Sequence, residues 1–120
     1  MFTLGVIEES LENAEVLSAL KPFFYSQRVE EVPDDPYPVW HVNEYHVSDE
    51  KIDEVAELLA RETKLTWYAH AFNDDVLVVI LKGKAFRVAP HRDETWEEML
   101  TYAEGVKVEK RYIESIPLGV

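Results

Sequence analysis

The sequence predicts an α+β fold, namely a ferredoxin-like βαββαβ two-layer sandwich extended by a β-hairpin and a third helix, in a single domain over residues 1–120. Two observations predict it. Short β-rich segments and segments of helical periodicity alternate in the order β-α-β-β-α-β and then β-β-α. A hydrophobic content of 47% over 120 residues is sufficient for one core. Because the crossover helices of a ferredoxin-like fold pack on one face of an antiparallel sheet, we expect two layers.

The first half of the chain supplies the first four elements. Phe2–Ile7 is a short apolar run and predicts a buried strand. Asn13 is a favoured N-cap residue, and a brief helix is predicted after it over Ala14–Leu20. The β-rich segments Phe23–Val32 and Val39–Val47 flank a proline-rich loop, which predicts that they are antiparallel neighbours.

The clearest helix of the sequence lies in the middle of the chain. Ser48 is a suitable N-cap, and the apolar residues that follow it have helical spacing. The predicted buried stripe consists of Ile52, Val55, Ala56, Leu59 and Ala60. A strand rich in threonine and aromatic residues is then predicted over Leu65–Phe72, and it completes the βαββαβ order.

A hairpin that carries positive charge follows. Val76–Leu81 and Lys84–Ala89 predict two strands joined by a tight turn. The segment Val76–Arg92 contains no acidic residue, although the protein has a net charge of −12. Its basic residues are Lys82, Lys84, Arg87 and Arg92. They are candidate ligands for a small anion or an acidic partner, while protection of an exposed sheet edge explains the same lysines without any ligand.

A final helix is predicted to cover the hairpin. It begins at Asp93 or Thr95, where Thr95 and Glu98 have the spacing of a capping box. It ends at Gly105, a residue type favoured directly after a helix. The segment Lys107–Val120 fits either a last edge strand or an ordered tail.

Composition excludes several kinds of partner. A net charge of −12 argues against nucleic acid, whose phosphates bind clustered lysine and arginine, and against an anionic membrane surface. The longest apolar run, Val76–Leu81, is far shorter than the ~20 residues that span a bilayer. The N-terminus has no signal-peptide pattern, so we expect a soluble, cytoplasmic protein. The chain has no cysteine, and no motif predicts a cofactor.

The sheet face without helices is the candidate site. Tyr68, His70 and Phe72 alternate with Ala69 and Ala71, and small alanines suit the close approach of a helix. We therefore expect the three larger side chains on the open face. A second alternating set is His41, Asn43 and Tyr45. If both sets share a face, they form either the lining of a ligand pocket or the interface of a homo-oligomer.

The histidines do not predict a metal site. His41 and His46 are five residues apart on one strand and therefore point to opposite faces. Glu44 and His46 share a face and could bind an ion together with a third donor, but no ligand motif such as His-Glu-x-x-His is present.

Several short stretches carry a resemblance. They are Gly5-Val-Ile-Glu-Glu-Ser-Leu11, Val16-Leu17, Trp40, Trp67-Tyr-Ala69, Asn73-Asp74 and Gly83-Lys84-x-Phe86. In these stretches the chain resembles a family of small uncharacterised prokaryotic proteins, over most of its length to about Val88. The resemblance implies a stand-alone soluble domain and transfers no catalytic residue. Where the family has an acidic residue after Trp-Tyr-Ala, this chain has His70.

Two functional hypotheses follow from the sequence. The first is a non-catalytic domain that forms a homo-oligomer through its open sheet face and binds a small anionic ligand or an acidic partner through the basic hairpin. The alternative is a small enzyme whose site lies on the open face, with His70 as acid or base and Tyr68 or Tyr45 as hydrogen-bond donor.

Overall fold

An antiparallel sheet of six strands organises the part of the chain that the computed structural model describes, residues 1–109 and 112–113. The strands are β1 Phe2–Ile7, β2 Phe24–Glu31, β3 Val39–Val47, β4 Ala69–Phe72, β5 Leu77–Leu81 and β6 Lys84–Val88. Their order across the sheet is β2-β3-β1-β4-β5-β6. The helices are two 3₁₀ helices, Glu8–Ser10 and Ala14–Phe23, and the α-helices α1 Ile52–Glu62 and α2 Trp96–Gly105.

The α+β class is confirmed, and so is the antiparallel pairing of β2 with β3. The six-strand order differs from the four-strand ferredoxin-like order, so the specific topology stays a prediction. No helix among the described residues is both long enough and apolar enough to cross a membrane.

The first crossover is a 3₁₀ helix where the sequence predicted an ordinary helix over Ala14–Leu20. Its predicted cap is confirmed, because the Asn13 side chain accepts a hydrogen bond from the N–H of Glu15 at 3.0 Å. The helix runs on to Phe23 and contains Pro22, which has no N–H to donate to an α-helical ladder. Leu20 anchors the helix in the core.

The stripe predicted for α1 is confirmed, since all five of its apolar residues are buried. The start of the helix differs from the prediction. The backbone carbonyl of Ser48 accepts from the N–H groups of Lys51 and Ile52, at 3.0 and 3.1 Å, and Lys51 is the residue at the N-cap position. The turn that begins at Ser48 therefore leads into α1 without a side-chain cap.

Helix α2 lies on the opposite face of the sheet from α1, which corrects the expectation of two layers. Val78 and Ile80 belong to the core cluster of α1, whereas Leu77, Val79 and Leu81 pack with α2. Successive side chains of a strand point to opposite faces, so β5 is covered on both sides. All five of its residues are buried, as a continuous apolar run predicts. The protein has three layers at β5 and β6.

Helix α2 has the predicted bounds, but neither the predicted capping box nor the predicted position of Gly105 directly after the helix is observed. Asp93 begins the helical turn, because its carbonyl accepts from the N–H of Trp96 at 3.1 Å and its carboxylate from the N–H of Thr95 at 2.8 Å. Thr95 has helical backbone angles and makes no capping bond. At the other end, Gly105 is still helical, and Lys107 adopts the left-handed conformation with φ of +65°.

The predicted strand over Leu65–Phe72 is shorter than expected. Thr66 has a φ of +74°, which is incompatible with a regular strand, and the sheet begins again only at Ala69. Residues 107–109 follow α2 without forming a strand, and residues 110–111 and 114–120 lie outside the described part of the chain. Within the described part of the chain, α2 lies at the β5–β6 end and leaves the face of β2, β3 and β1 opposite α1 open, while Phe72 of β4 packs against the core cluster of α2.

Candidate functional site

The uncovered face of the sheet holds a groove of about 810 Å³, which we call the open-face groove. Strands β3, β1 and β4 form its floor, and the segment before β4 and the residues after α2 stand at its sides. The residues that matter most for its chemistry are Gly5, Trp40, Glu44, Trp67, Tyr68 and His70. Aromatic surface with a few polar groups is the usual lining of a small-molecule site.

A side-chain-free gap lies at the middle of the floor. Gly5 of β1 is paired with Glu44 of β3 on one side and with His70 of β4 on the other. Paired residues of antiparallel strands share a face, so the carboxylate and the imidazole flank the glycine. A Cβ atom at Gly5 would lie 3.9 Å from Cε1 of His70. The sequence could not identify this gap, because it depends on the register of three strands.

His70 presents a neutral imidazole to the groove. Its ring stacks on Phe72, with 6.2 Å between centroids and 17° between planes. Burial lowers the pKa of His70 to about 4, so the ring is uncharged at neutral pH. Its nitrogens make no hydrogen bond to another of the described residues. One nitrogen of a neutral imidazole can donate a hydrogen bond to a ligand and the other can accept one.

Tyr68 lies on the same side as His70 and Phe72, as predicted, with its ring centroid 6.4 Å from that of His70. Its hydroxyl donates to the backbone carbonyl of Tyr112 at 3.0 Å. Burial raises the pKa of Tyr68, so it stays protonated at neutral pH. Tyr68 therefore ties the segment after α2 to the side of the groove, and the proton of its hydroxyl is already used in this hydrogen bond.

Three aromatic rings form one end of the groove region, and we call them the aromatic corner: Tyr37, Trp40 and Trp67. The ring centroids of Trp40 and Trp67 are 5.3 Å apart with 65° between planes, and those of Tyr37 and Trp67 are 5.6 Å apart with 76°. Nε1 of Trp40 is buried and has no hydrogen-bond partner among the described residues. Trp67 precedes β4 and lines the groove.

Negative charge predominates around the open-face groove. Four carboxylates line it, against two basic side chains: Glu30, Asp35, Glu44 and Glu109, and Arg28 and Lys107. Arg28 is already paired with Glu30, with Nε and Oε1 2.8 Å apart. Glu44 contacts the ring of His46, with Oε2 and Nε2 2.8 Å apart. The lining therefore favours a neutral or cationic ligand.

Tyr45, a candidate from the sequence, does not reach this groove. Leu4 is paired with Tyr45 and Val6 with Asn43, so both polar residues share the face of the α1 core. Tyr45 is 2% exposed, and its hydroxyl accepts from Nδ2 of Asn43 at 3.0 Å. Burial raises the pKa of Tyr45. The condition that His41, Asn43 and Tyr45 share a face with Tyr68, His70 and Phe72 is therefore not met.

A polar cluster at the end of β1 holds these residues in place. One carboxylate oxygen of Glu8 accepts from Gln27 at 3.0 Å and from Asn43 at 2.9 Å. Beside it, Nδ1 of His41 lies 2.7 Å from Oε2 of Glu9. This hydrogen bond raises the pKa of His41, whereas the pKa of Glu9 is lowered because bonds from the His41 side chain and backbone outweigh the effect of burial. The cluster ties β2 and β3 to the 3₁₀ turn after β1.

The basic residues of the hairpin do not converge. Arg87 donates from Nε and Nη2 to one oxygen of Asp53, at 2.9 and 2.7 Å. Nζ of Lys84 lies 3.7 Å from Glu98 of α2. Arg87 is paired with Val78 and Lys84 with Leu81, so the two cations lie on opposite faces of the sheet. Both already have acidic neighbours in the chain.

The other two members of the basic set lie at its ends. The backbone carbonyl of Lys82 accepts from the hydroxyl of Tyr102 at 2.7 Å, which fixes the turn, and Arg92 lies in the loop before α2. Across residues 1–109 and 112–113, no three histidine or acidic side chains gather as a metal site would require.

Comparisons with protein-family models, with curated proteins and with solved structures find no match to this chain. The resemblance of its short motifs to a family of small prokaryotic proteins therefore stays a prediction.

Proposed function

We propose that this protein is a binding domain for a small organic molecule and that the open-face groove is its site. The observation that carries the proposal is the imidazole of His70, which has no hydrogen-bond partner among the described residues and lies beside the gap over Gly5. A ligand in that gap can hydrogen-bond to His70 on one side and to Glu44 on the other while it stacks against the aromatic lining.

The titration of His70 favours binding over catalysis. A general acid or base works best when its pKa lies near the working pH. With a pKa of about 4, His70 has no proton to deliver at neutral pH and is a weak base. The enzyme hypothesis, with His70 and Tyr68 as its residues, is therefore the second choice for this groove.

Self-association is a second candidate property, and we propose the edge of β2 as its place. Phe24, Tyr25 and Val29 are 51, 63 and 57% exposed on this strand, whose one neighbour among the described residues is β3. An exposed apolar edge strand is a template for pairing with another copy. With Val29 opposite Val29 of the second copy, Arg28 faces Glu30, and these opposite charges support antiparallel pairing.

A matched pair of variants tests the β2 edge. Val29→Lys places like charges at the centre of the pair, whereas Leu65→Lys makes the same change at another exposed apolar site, 47% exposed, away from β2. We expect the wild type and Leu65→Lys to be dimers by light scattering and Val29→Lys to be a monomer. A monomeric wild type at millimolar concentration would contradict self-association.

The anion site on the basic hairpin and the ferredoxin-like relation also stay proposals. An anion at Arg87 would have to compete with Asp53, so we rank an anion site on the hairpin below the ligand site in the open-face groove. The relation to ferredoxin-like folds is supported by the sub-order β2-β3-β1-β4 and by the two crossover helices, which share one core.

The experiment for the groove is a thermal-shift screen of neutral, cationic and anionic small molecules with a graded set of variants. Gly5→Ala adds one carbon to the gap, and Gly5→Val fills it with a side chain that suits a strand. Gly105→Ala is the matched control, because a Cβ there meets nothing within 4 Å. We expect ligands that stabilise the wild type and Gly105→Ala to act less on Gly5→Ala and not at all on Gly5→Val. Ligands that stabilise all four proteins equally would contradict the proposal.

A further inference from the structure

We propose that the ligand of the open-face groove is an organic ammonium cation whose charged group binds at the aromatic corner. The inference rests on the proposed function, because it names the ligand class for the same groove. It is carried by the inclined tryptophan rings at one end of the groove and by the excess of carboxylates along it.

The rings of the aromatic corner have the arrangement that binds such cations. Trp40 and Trp67 both line the groove and meet at 65°. The faces of tryptophan rings attract cations best among aromatic side chains, and sets of inclined rings bind quaternary ammonium groups. Unlike a metal ion, a methylated ammonium group needs no ligand atoms at short fixed distances.

The corner already binds one cation of the chain itself. Nζ of Lys64 lies 4.6 Å from the ring centroid of Tyr37, which in turn packs against Trp67. The same ammonium group donates to the backbone carbonyl of Glu9 at 3.0 Å. Lys64 therefore already contacts the ring of Tyr37. The rings of Trp40 and Trp67 are the ones that can bind a cation entering from the groove.

Acidic side chains complement a cation at this end. Asp35 lines the groove near the corner, whereas Glu30, beside Trp40, is paired with Arg28, and Glu44 lies farther along β3. Asp35 makes a local turn by accepting from the N–H of Tyr37 at 2.9 Å, so its position is fixed. The net charge of −12 also draws cations to the whole molecule and repels anions.

The size of the groove indicates how large the rest of the ligand can be. A volume of 810 Å³ exceeds that of a trimethylammonium group several-fold, so the groove has room for a cation with a body that extends along the floor. That body lies over Gly5 and beside His70, which can bond a hydroxyl, carbonyl or amide at its far end. The expected class is an amine or quaternary ammonium compound with a flat or aromatic body and one polar group.

The test uses charged probes and neutral isosteres. Choline is compared with 3,3-dimethylbutan-1-ol, and benzyltrimethylammonium with benzyl alcohol, while benzoate serves as the anion. Binding is followed by the indole N–H signals in ¹H–¹⁵N spectra, one from each of the three tryptophans. Trp96 is the first residue of α2, is buried, and serves as an internal control for changes that are not local.

We expect the ammonium probes to shift the signals of Trp40 and Trp67 but not of Trp96, with a dissociation constant at least tenfold below that of the isostere. Asp35→Asn keeps the oxygen that accepts the hydrogen bond of the turn and removes a charge. It should therefore raise the dissociation constants of the ammonium probes at least threefold. Asp34→Asn makes the same change at an exposed neighbour that does not line the groove, and should leave binding unchanged.

Three outcomes would overturn the inference. Equal affinities for a cation and its neutral isostere would show that the groove does not select for charge. Stronger binding of benzoate than of the ammonium probes would show selectivity for anions. Either result leaves the proposed function intact. A failure of both ammonium probes to shift Trp40 and Trp67 would also overturn the inference. The proposed function fails separately, if no ligand of any charge distinguishes Gly5→Val from Gly105→Ala.

Discussion

At the scale of the residue, burial of His70 has a consequence for acid stability. The unfolded chain protonates this imidazole near pH 6.5, whereas the folded protein does so only near pH 4. Below pH 6.5 the unfolded state therefore binds more protons, and the folded state loses stability as the pH falls towards 4. Above pH 6.5 both states are neutral at this site and the effect is absent.

We predict that this loss reaches at most about 3 kcal/mol of unfolding free energy, since 1.36 kcal/mol corresponds to one pKa unit. His70→Phe keeps an aromatic ring beside Phe72 and cannot be protonated. Urea unfolding at intervals from pH 7 to pH 4 should therefore give a flatter profile for this variant than for the wild type. Parallel profiles would mean that His70 is protonated as readily in the folded protein as in the unfolded chain.

His41, which is paired with Glu9, should change the stability in the opposite direction to His70 as the pH falls. The pKa of His41 is raised, so its stabilising contribution is complete below pH 6.5 and is lost as the pH rises through the folded value. The pKa of Glu9 is lowered, so its contribution is present above pH 4.5 and is lost in stronger acid. We predict that His41→Gln lowers the melting temperature more at pH 5.5 than at pH 8.5. The same decrease at both pH values would contradict a charged pair.

At the scale of the element, the turn between β5 and β6 depends on a glycine. Gly83 has a φ of +86°, and a Cβ there would lie 3.0 Å from the hydroxyl oxygen of Tyr102. That hydroxyl is bonded to the carbonyl of Lys82, and the N–H of Gly83 donates to the carbonyl of Ala60 at 2.8 Å. The turn thus connects the hairpin to both α-helices.

We predict that Gly83→Ala destabilises the protein by about 1–2 kcal/mol, the cost of a left-handed conformation with a side chain, before any displacement of Tyr102 is added. Gly105→Ala is the control, since its helical position has open space and should be neutral or slightly stabilising. Both values come from denaturant unfolding. Equal stability of the two variants would show that the turn adapts without strain.

The elements also show what sequence patterns could and could not predict. The α1 stripe, the β2–β3 pair and the Asn13 cap depend on local spacing, and all three are confirmed. Alternation shows which residues of a strand share a face, but not which face meets the helices. That ambiguity misplaced Tyr45, whose hydroxyl is accommodated in the core by Asn43, two residues before it on the same strand.

At the scale of the whole molecule, the position of α2 creates the candidate site. A helix on the same face as α1 would have left β5 and β6 bare on the other side. On the opposite face α2 covers them, and Phe72 of β4 packs against the same core cluster. The groove is what remains uncovered. Its polar centre could not be predicted, because the alignment of Glu44, Gly5 and His70 arises only from strand pairings distant in the sequence.

The measurement that tests the central claim most directly is a map of backbone amide shifts during titration of ¹⁵N-labelled protein with benzyltrimethylammonium. The account predicts saturable shifts concentrated at Gly5, Trp40, Trp67 and His70, and their disappearance in Gly5→Val. Saturable shifts confined to the separate groove between α1 and β6, lined by Arg61 and Arg87, would contradict it. So would the same open-face shifts with unchanged affinity in Gly5→Val.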